Sequence, residues 1–241
     1  MCRVQIQWRI AAVAILVANV VSCHSSSPSA NSPEPHKPVE DAYGVKDHRE
    51  IQFRDDVATN APLDEQLVDL VFTDLHGNTV SPRDYVDKKH VVLVVTRGSA
   101  RYICVYCSTQ TSRLVAQYPE FSQRNAEVLV VFPLNAAKDH ELADDFVTFV
   151  RNKLPPPPPD VPFPLLLDVE LKAVDKLGLR QKLAKPATYI LDKQGQVRFA
   201  YVGETQADRP SVKALLAQLD ELNAVPSSAP PAVPADEAKS K

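Results

Sequence analysis

The spacing of apolar residues changes along the chain, and each change marks an element. From His90 to Thr96, HVVLVVT is a near-continuous β-branched run, the pattern of a strand buried on both faces. EVLVVFP, from Glu127 to Pro133, repeats that pattern. Between them, from Cys104 to about Gln123, apolar residues return at helical spacing, with Leu114, Val115, Tyr118 and Phe121 on one face. These segments predict a strand–helix–strand unit whose helix opens at a cysteine.

The flanking segments extend the pattern. DLVFTDLHGNTVSPRDYV, Asp69 to Val86, predicts a short strand, a turn at His76-Gly77-Asn78 and a second short strand. KDHELADDFVTFVRNKL predicts a helix with an apolar stripe of Leu142, Phe146, Phe149 and Val150. The run Pro155 to Pro159 is expected to be extended polyproline, about 15 Å long at ~3.1 Å per residue, either as a rigid spacer or as a proline-rich ligand. FPLLLD and ELKAVDKLGL predict a strand and a helix. ATYILD and QVRFAYVG flank KQGQ, a hairpin with glycine in the left-handed position. RPSVKALLAQLDELN predicts a closing helix with proline in its first turn. The resulting order is β-β-β-α-β-α-β-α-β-β-α. It indicates an α/β protein with a central mixed sheet flanked by helices, an N-terminal β-hairpin, and an insertion holding a helix and the polyproline run. That is the order of an elaborated thioredoxin-like fold.

Composition adds segments at both ends. The chain has 241 residues, 44% of them hydrophobic, and a formal charge of -3. That suits one globular domain with extra segments, and the near-neutral charge gives no reason to expect a nucleic-acid partner. Arg3 and Arg9 precede AAVAILVANVV, an apolar stretch short for a membrane span and suited to an export signal. It ends in VVSC, Val20 to Cys23, which resembles the lipobox of bacterial lipoproteins, where cleavage precedes the cysteine and the cysteine is acylated. An ordinary cleaved signal that ends near a cysteine is the other reading. Proline- and serine-rich sequence follows. The expected organisation is a signal over 1–22, a flexible tether over 23–62, a folded domain over 63–224 and a disordered tail over 225–241. The lipobox resemblance implies an exported protein held to an extracytoplasmic membrane surface through Cys23.

The chain has four cysteines. Cys2 leaves with such a signal and Cys23 takes lipid, so Cys104 and Cys107 remain in the folded part, each with only the other as a partner. Exported thiols one helical turn apart meet oxidants. A structural zinc site normally takes four ligands, and neither a second cysteine pair nor a matching histidine spacing accompanies these two. Covalent haem requires histidine after the second cysteine, where this chain has Ser108. What remains is a dithiol/disulfide couple that needs no other cofactor. The helix start carries unpaired N–H groups and partial positive charge, which favours a Cys104 thiolate. Arg97 and Arg101 in the preceding loop either strengthen that field or are solvated loop residues. Cys104 is expected to attack and Cys107, one turn on, to resolve the mixed disulfide. The expected partners are a disulfide-bearing protein substrate and an upstream electron donor.

LAKPATYILDKQGQVRFAYVG places Pro186 just before a strand, where thioredoxin-like folds carry a cis-proline facing the active cysteine. On that reading Pro186 is cis, with Lys185 beside the substrate groove; a trans-proline opening a strand is the alternative. From about Leu67 to Leu222 the chain resembles the redoxin, or AhpC/TSA-like, branch of the thioredoxin superfamily. FTDLHGNTVS, VVLVVTRG, CVYC and KPATYILDKQGQVRFAYVGE carry that resemblance. It implies either a disulfide reductase or a peroxiredoxin-like peroxidase. The peroxidase pattern of that branch places a proline and a hydroxyl residue ahead of the cysteine and an arginine later. Here those places hold Arg97, Arg101 and Pro186. The resemblance is therefore to the fold of a peroxiredoxin without its active site. A membrane-tethered thiol–disulfide oxidoreductase is the first expectation, a peroxidase the second, and a non-catalytic binding protein the third.

Overall fold

β5 (His90–Val95) and β6 (Ala126–Leu134) are buried along their whole length and run parallel, Val91 opposite Glu127 through Val95 opposite Val131. Side chains alternate across a strand, so an unbroken apolar run must supply two cores at once. On one face, Val92, Val94, Val128 and Val130 pack with Leu114, Phe146, Val150 and Leu215. On the other, Val91, Leu93, Val95 and Val131 pack with Leu67, Leu70, Ala173 and Val174.

The computed structural model describes residues 39–224 except 42–43, 48–50, 64 and 100–101. The expected signal, Cys23, Arg101 and the tail over 225–241 lie outside the described residues. Those described fall in the compact unit Lys37–Lys241. A short antiparallel pair, β1 (Val39–Glu40) and β2 (Lys46–Asp47), opens it. A seven-stranded mixed sheet follows, adding β3 (Phe72–Asp74), β4 (Thr79–Val80), β7 (Leu165–Val169), β8 (Ala187–Leu191) and β9 (Val197–Val202). Its spatial order is β4-β3-β7-β6-β5-β8-β9. β5, β6 and β7 are parallel, while β3 and β8 pair antiparallel with their neighbours. The helices are α1 (Val105–Ala116), α2 (Tyr118–Gln123), α3 (Glu141–Asn152), α4 (Lys172–Lys176) and α5 (Val212–Ala224). This is the mixed, helix-flanked sheet that the element order predicts.

Several local expectations need correction. The tether expected through residue 62 is docked at several points within its described part. Val45 and Ile51 are buried, and Arg113 of α1 donates to the Asp41 carboxylate at 2.6 Å and to the Ile51 carbonyl at 2.6 Å. Its guanidinium also lies over the Phe53 ring. Composition suggested a tether, but a polar segment needs only a few well-placed apolar and charged groups to dock. The helix expected to run unbroken to Gln123 stops at Gln117, because Pro119 cannot continue the ladder of α1 and instead sits in the first turn of α2. In α3, Phe146 and Val150 are buried as expected, whereas Phe149 is exposed with the Lys153 ammonium over its ring. The proline run is not a uniform extended rod: its Pro155–Pro156 bond is cis, and Arg151 of α3 holds the Pro158 carbonyl at 2.7 Å. Pro210 precedes α5 rather than entering its first turn, and Ser211 caps that helix by accepting from the Ala214 N–H.

Candidate active site

After β5, Thr96 continues the sheet, its N–H and hydroxyl both donating to the Val131 carbonyl. Gly98 then takes a left-handed φ of 79° close to Pro133; a β-carbon there would stand 2.6 Å from the Pro133 carbonyl oxygen. Only glycine fits both the angle and the approach. The chain returns to begin α1 at Cys104, which is the N-cap.

The two cysteines are free thiols one turn apart. Cys104 Sγ accepts the Cys107 N–H at 3.4 Å, as a capping side chain does. Cys107 Sγ accepts the Arg97 backbone N–H at 3.4 Å and the Arg209 Nη2–H at 3.2 Å. Cys104 keeps 8% of its surface exposed and Cys107 only 1%. Cys104 is therefore the less enclosed of the two.

The charge is placed otherwise than the sequence suggested. The hydrogen bond to Cys107, then burial, then the charge on Cys107 push the Cys104 thiol up. For Cys107, burial opposes ionisation. The Cys104 thiol, the Arg209 charge and the Arg97 N–H outweigh it and bring Cys107 below the ordinary thiol range. In the reduced pair ionisation is therefore favoured at Cys107 over Cys104. The N-terminus of α1 was expected to favour a Cys104 thiolate. At Cys107 the hydrogen bond with the Cys104 thiol and then the Arg209 guanidinium act against burial and lower that sulfur instead.

Arg209 is the residue that sequence reading missed. It is 1% exposed and comes from the loop between β9 and α5, 102 positions from Cys107. Its Nε donates to the Gln206 carbonyl at 2.7 Å and its Nη1 to Gln110 Oε1 at 2.6 Å. Gln110 lies on α1 one turn beyond Cys107. Its amide nitrogen and the Thr111 hydroxyl are buried and find no hydrogen-bond partner among the described residues. The loop is braced from both sides. Asp208 accepts from the Tyr201 hydroxyl at 2.6 Å and from the Glu204 N–H at 2.9 Å. The Arg209 carbonyl accepts the Arg54 N–H at 2.9 Å, and Ser211 donates back to the Arg54 carbonyl at 2.8 Å. One lone arginine before a helix gives no signal in sequence spacing; only the closing of the sheet brings it to α1.

Of the other expected site residues, Arg97 reaches the pair through its backbone. Its side chain is half-buried and lines, with Pro186, Gln181, Ala184 and Gln206, a groove of about 250 Å³. Pro186 is buried, and its peptide bond with Lys185 is trans, contrary to the cis geometry expected. The backbone there is already engaged within the chain. The Ala184 N–H bonds the Arg97 carbonyl, the Lys185 N–H bonds the Leu179 carbonyl, and the Pro186 carbonyl accepts the Gly203 N–H at 2.8 Å. A strand-like pairing of that backbone with a substrate would find the Ala184 and Lys185 N–H groups already taken, and Pro186 has none to offer. Lys185 is half-buried and is not part of the groove lining.

Comparison with known proteins agrees with the fold. A mutant of peroxiredoxin 6 from Arenicola marina superposes with a TM-score of 0.55 at 17% identity, over 74% of this chain and 86% of its own. The mitochondrial 2-Cys peroxiredoxin from Plasmodium falciparum gives 0.51 at 17% identity, over 64% and 89%. The reduced 2-Cys peroxiredoxin of Plasmodium vivax gives 0.50 at 18%, over 64% and 76%. No curated protein matches the chain significantly. Residues 63–200, more than half of the chain, match the AhpC/TSA family. With a thioredoxin-like sheet of peroxiredoxin type and a cysteine at the start of its first long helix, the chain belongs to the AhpC/TSA family, a scaffold of thiol-dependent redox chemistry.

Proposed function

We propose that the protein is a thiol–disulfide oxidoreductase working through the Cys104–Cys107 couple. The observation that carries this reading is the division of labour between the sulfurs. Cys104 stands at a helix start and keeps the larger exposure; Cys107 is enclosed one turn away, against the Arg209 guanidinium. Moving the shared proton from Cys104 to Cys107 makes Cys104 the attacking thiolate. It attacks a substrate disulfide and expels the first substrate thiolate. Cys107, losing that proton, then attacks Cys104 in the mixed disulfide and releases the second. Two electrons pass to the substrate and the pair becomes a disulfide. The reverse sequence oxidises a substrate dithiol by the same bonds.

Tyr102, 85% exposed two residues before Cys104, offers an aromatic surface suited to a protein substrate. A second protein partner renews the couple, and no cofactor is needed beyond it. The Val20–Cys23 sequence supports a lipid anchor that would hold the domain at an extracytoplasmic membrane surface.

Family membership favours a second reading, a thiol peroxidase. The placement of Arg97 and Pro186 argues against it. Arg97 directs its backbone, not a side-chain donor, at the couple, Pro186 has no N–H, and the guanidinium that does reach the couple, Arg209, is enclosed against Cys107. The test is trapping and stopped-flow mixing. Cys107→Ser should accumulate a mixed disulfide on Cys104 with a protein disulfide, and Cys104→Ser should accumulate none. Reaction with hydrogen peroxide far faster than that of a free thiol, retained in Cys107→Ser, would establish the peroxidase instead. Failure of the wild type to exchange with either reagent would refute both.

A further inference from the structure

We propose that Arg209 sets the direction of the couple, stabilising the reduced pair so that the Cys104–Cys107 disulfide acts as an oxidant of substrate dithiols. This inference rests on the oxidoreductase reading. Its basis is a buried cation with one anionic partner. Arg209 is almost wholly enclosed, and among the described residues its side chain donates to the Gln206 carbonyl, the Gln110 amide oxygen and Cys107 Sγ. Two of those are neutral. The neighbouring carboxylate, Asp208, is committed to Tyr201, Glu204 and Arg54. Among the described residues no carboxylate pairs with Arg209. A buried guanidinium without a counter-ion is strongly disfavoured, so the group that can balance it is the Cys107 thiolate.

Disulfide formation removes that anion, because the sulfur becomes neutral while Arg209 stays in place. The oxidised form therefore holds an uncompensated buried cation and the reduced form does not. A couple whose reduced form is selectively stabilised is an oxidising couple. The kinetics point the same way. A substrate thiolate attacks Cys104, the less enclosed of the two; the Cys104–Cys107 bond breaks and its electron pair leaves on Cys107 beside Arg209. A sulfur of lowered pKa leaves faster. The second substrate thiol gives up its proton and attacks the substrate sulfur of the mixed disulfide, and Cys104 departs and takes up a proton. Two electrons pass to the pair, one proton remains on Cys104, and one is released. Exchange with a second protein disulfide of higher potential resets the couple.

The experiment equilibrates the full chain with glutathione at fixed ratios of reduced to oxidised form, with the disulfide fraction read by thiol alkylation and mass. Arg209→Met should reduce the equilibrium constant for reduction of the disulfide at least tenfold, equal to ~30 mV for two electrons. Arg209→Lys, which keeps the charge, should fall between Arg209→Met and wild type. The wild type supplies a readout that needs no variant. If the reduced pair carries one proton, its equilibrium constant should rise roughly tenfold between pH 7 and pH 8. A structural role alone would not produce that slope. A constant unchanged in a folded Arg209→Met, or a flat wild-type pH dependence, would overturn the role of Arg209 and leave the oxidoreductase reading standing. If no Cys104–Cys107 disulfide forms at any ratio, both are overturned.

Discussion

Cys107 and Arg209 are each acceptable in the interior because of the other. A thiolate 1% exposed is costly to keep charged, and so is a guanidinium equally enclosed. Placed 3.2 Å apart they satisfy one another, with the Arg97 N–H and Gln110 completing the shell. Removing one member of such a pair generally costs ~3–5 kcal/mol, because the remaining charge is stranded. The expected outcome is an asymmetry between two similar substitutions. In the reduced protein, Cys107→Ser should lower unfolding free energy by about 3 kcal/mol, since a serine hydroxyl stays neutral and leaves Arg209 unbalanced. Cys104→Ser, at the partly exposed cap position, should cost under about 1 kcal/mol, because serine is itself a good N-cap. Urea unfolding of both variants under reducing conditions measures the difference, and equal costs would argue against the ion pair.

At the scale of elements, α1 is unusual for a helix beside a sheet. Ser108, Thr109, Gln110, Thr111 and Ser112 are all buried, and the Ser112 hydroxyl donates to the Val150 carbonyl of α3 at 2.9 Å. Such a helix has no wet face, because the N-terminal segment closes over it. Arg113 is the fastening, joining α1 to Asp41, Ile51 and Phe53. Further along, the same segment bonds the Arg209 loop through Arg54. Arg113→Ala should remove a buried charge-assisted contact and leave the Ile51 carbonyl without that donor, at a cost of ~1.5–3 kcal/mol. Limited proteolysis should then cut within residues 41–60 at concentrations of protease that leave the wild type intact. Unchanged protection would mean that the segment is held by its apolar contacts alone.

For the whole molecule, the cysteine pair couples stability to pH. The folded-state pKa of Cys107 is lowered from the ordinary thiol value of 9.0, so its contribution is fully present above that unfolded value and is lost as pH falls through the lowered folded value. Cys104 moves the other way: its raised pKa means that stability is lost as pH rises past 9.0, where the unfolded thiol ionises and the folded one does not. The disulfide form has neither group. The unfolding free energy of the reduced protein, measured relative to the oxidised protein, is therefore expected to rise from mildly acidic pH toward pH 9.0 and to fall beyond it. Chemical denaturation of both redox forms across that range checks the shape, and a difference independent of pH would show that no thiolate is held in the native state.

The sequence by itself determined the elements and the placing of the cysteine pair. Unbroken β-branched runs at His90–Thr96 and Glu127–Pro133 could only be strands buried on both faces, and C-x-x-C at a helix start fixed which residues meet, since both signals are local and periodic. Pro119 was as local as these, and its break of the helix was legible in principle. What only the tertiary structure decided was where the charge sits. Arg209 lies 102 positions from Cys107, and Arg54 and Arg113 fasten a segment whose composition reads as unstructured. Electrostatics falls with distance in space and not along the chain, so the sulfur that ionises is set by whichever distant group the closed sheet delivers to it.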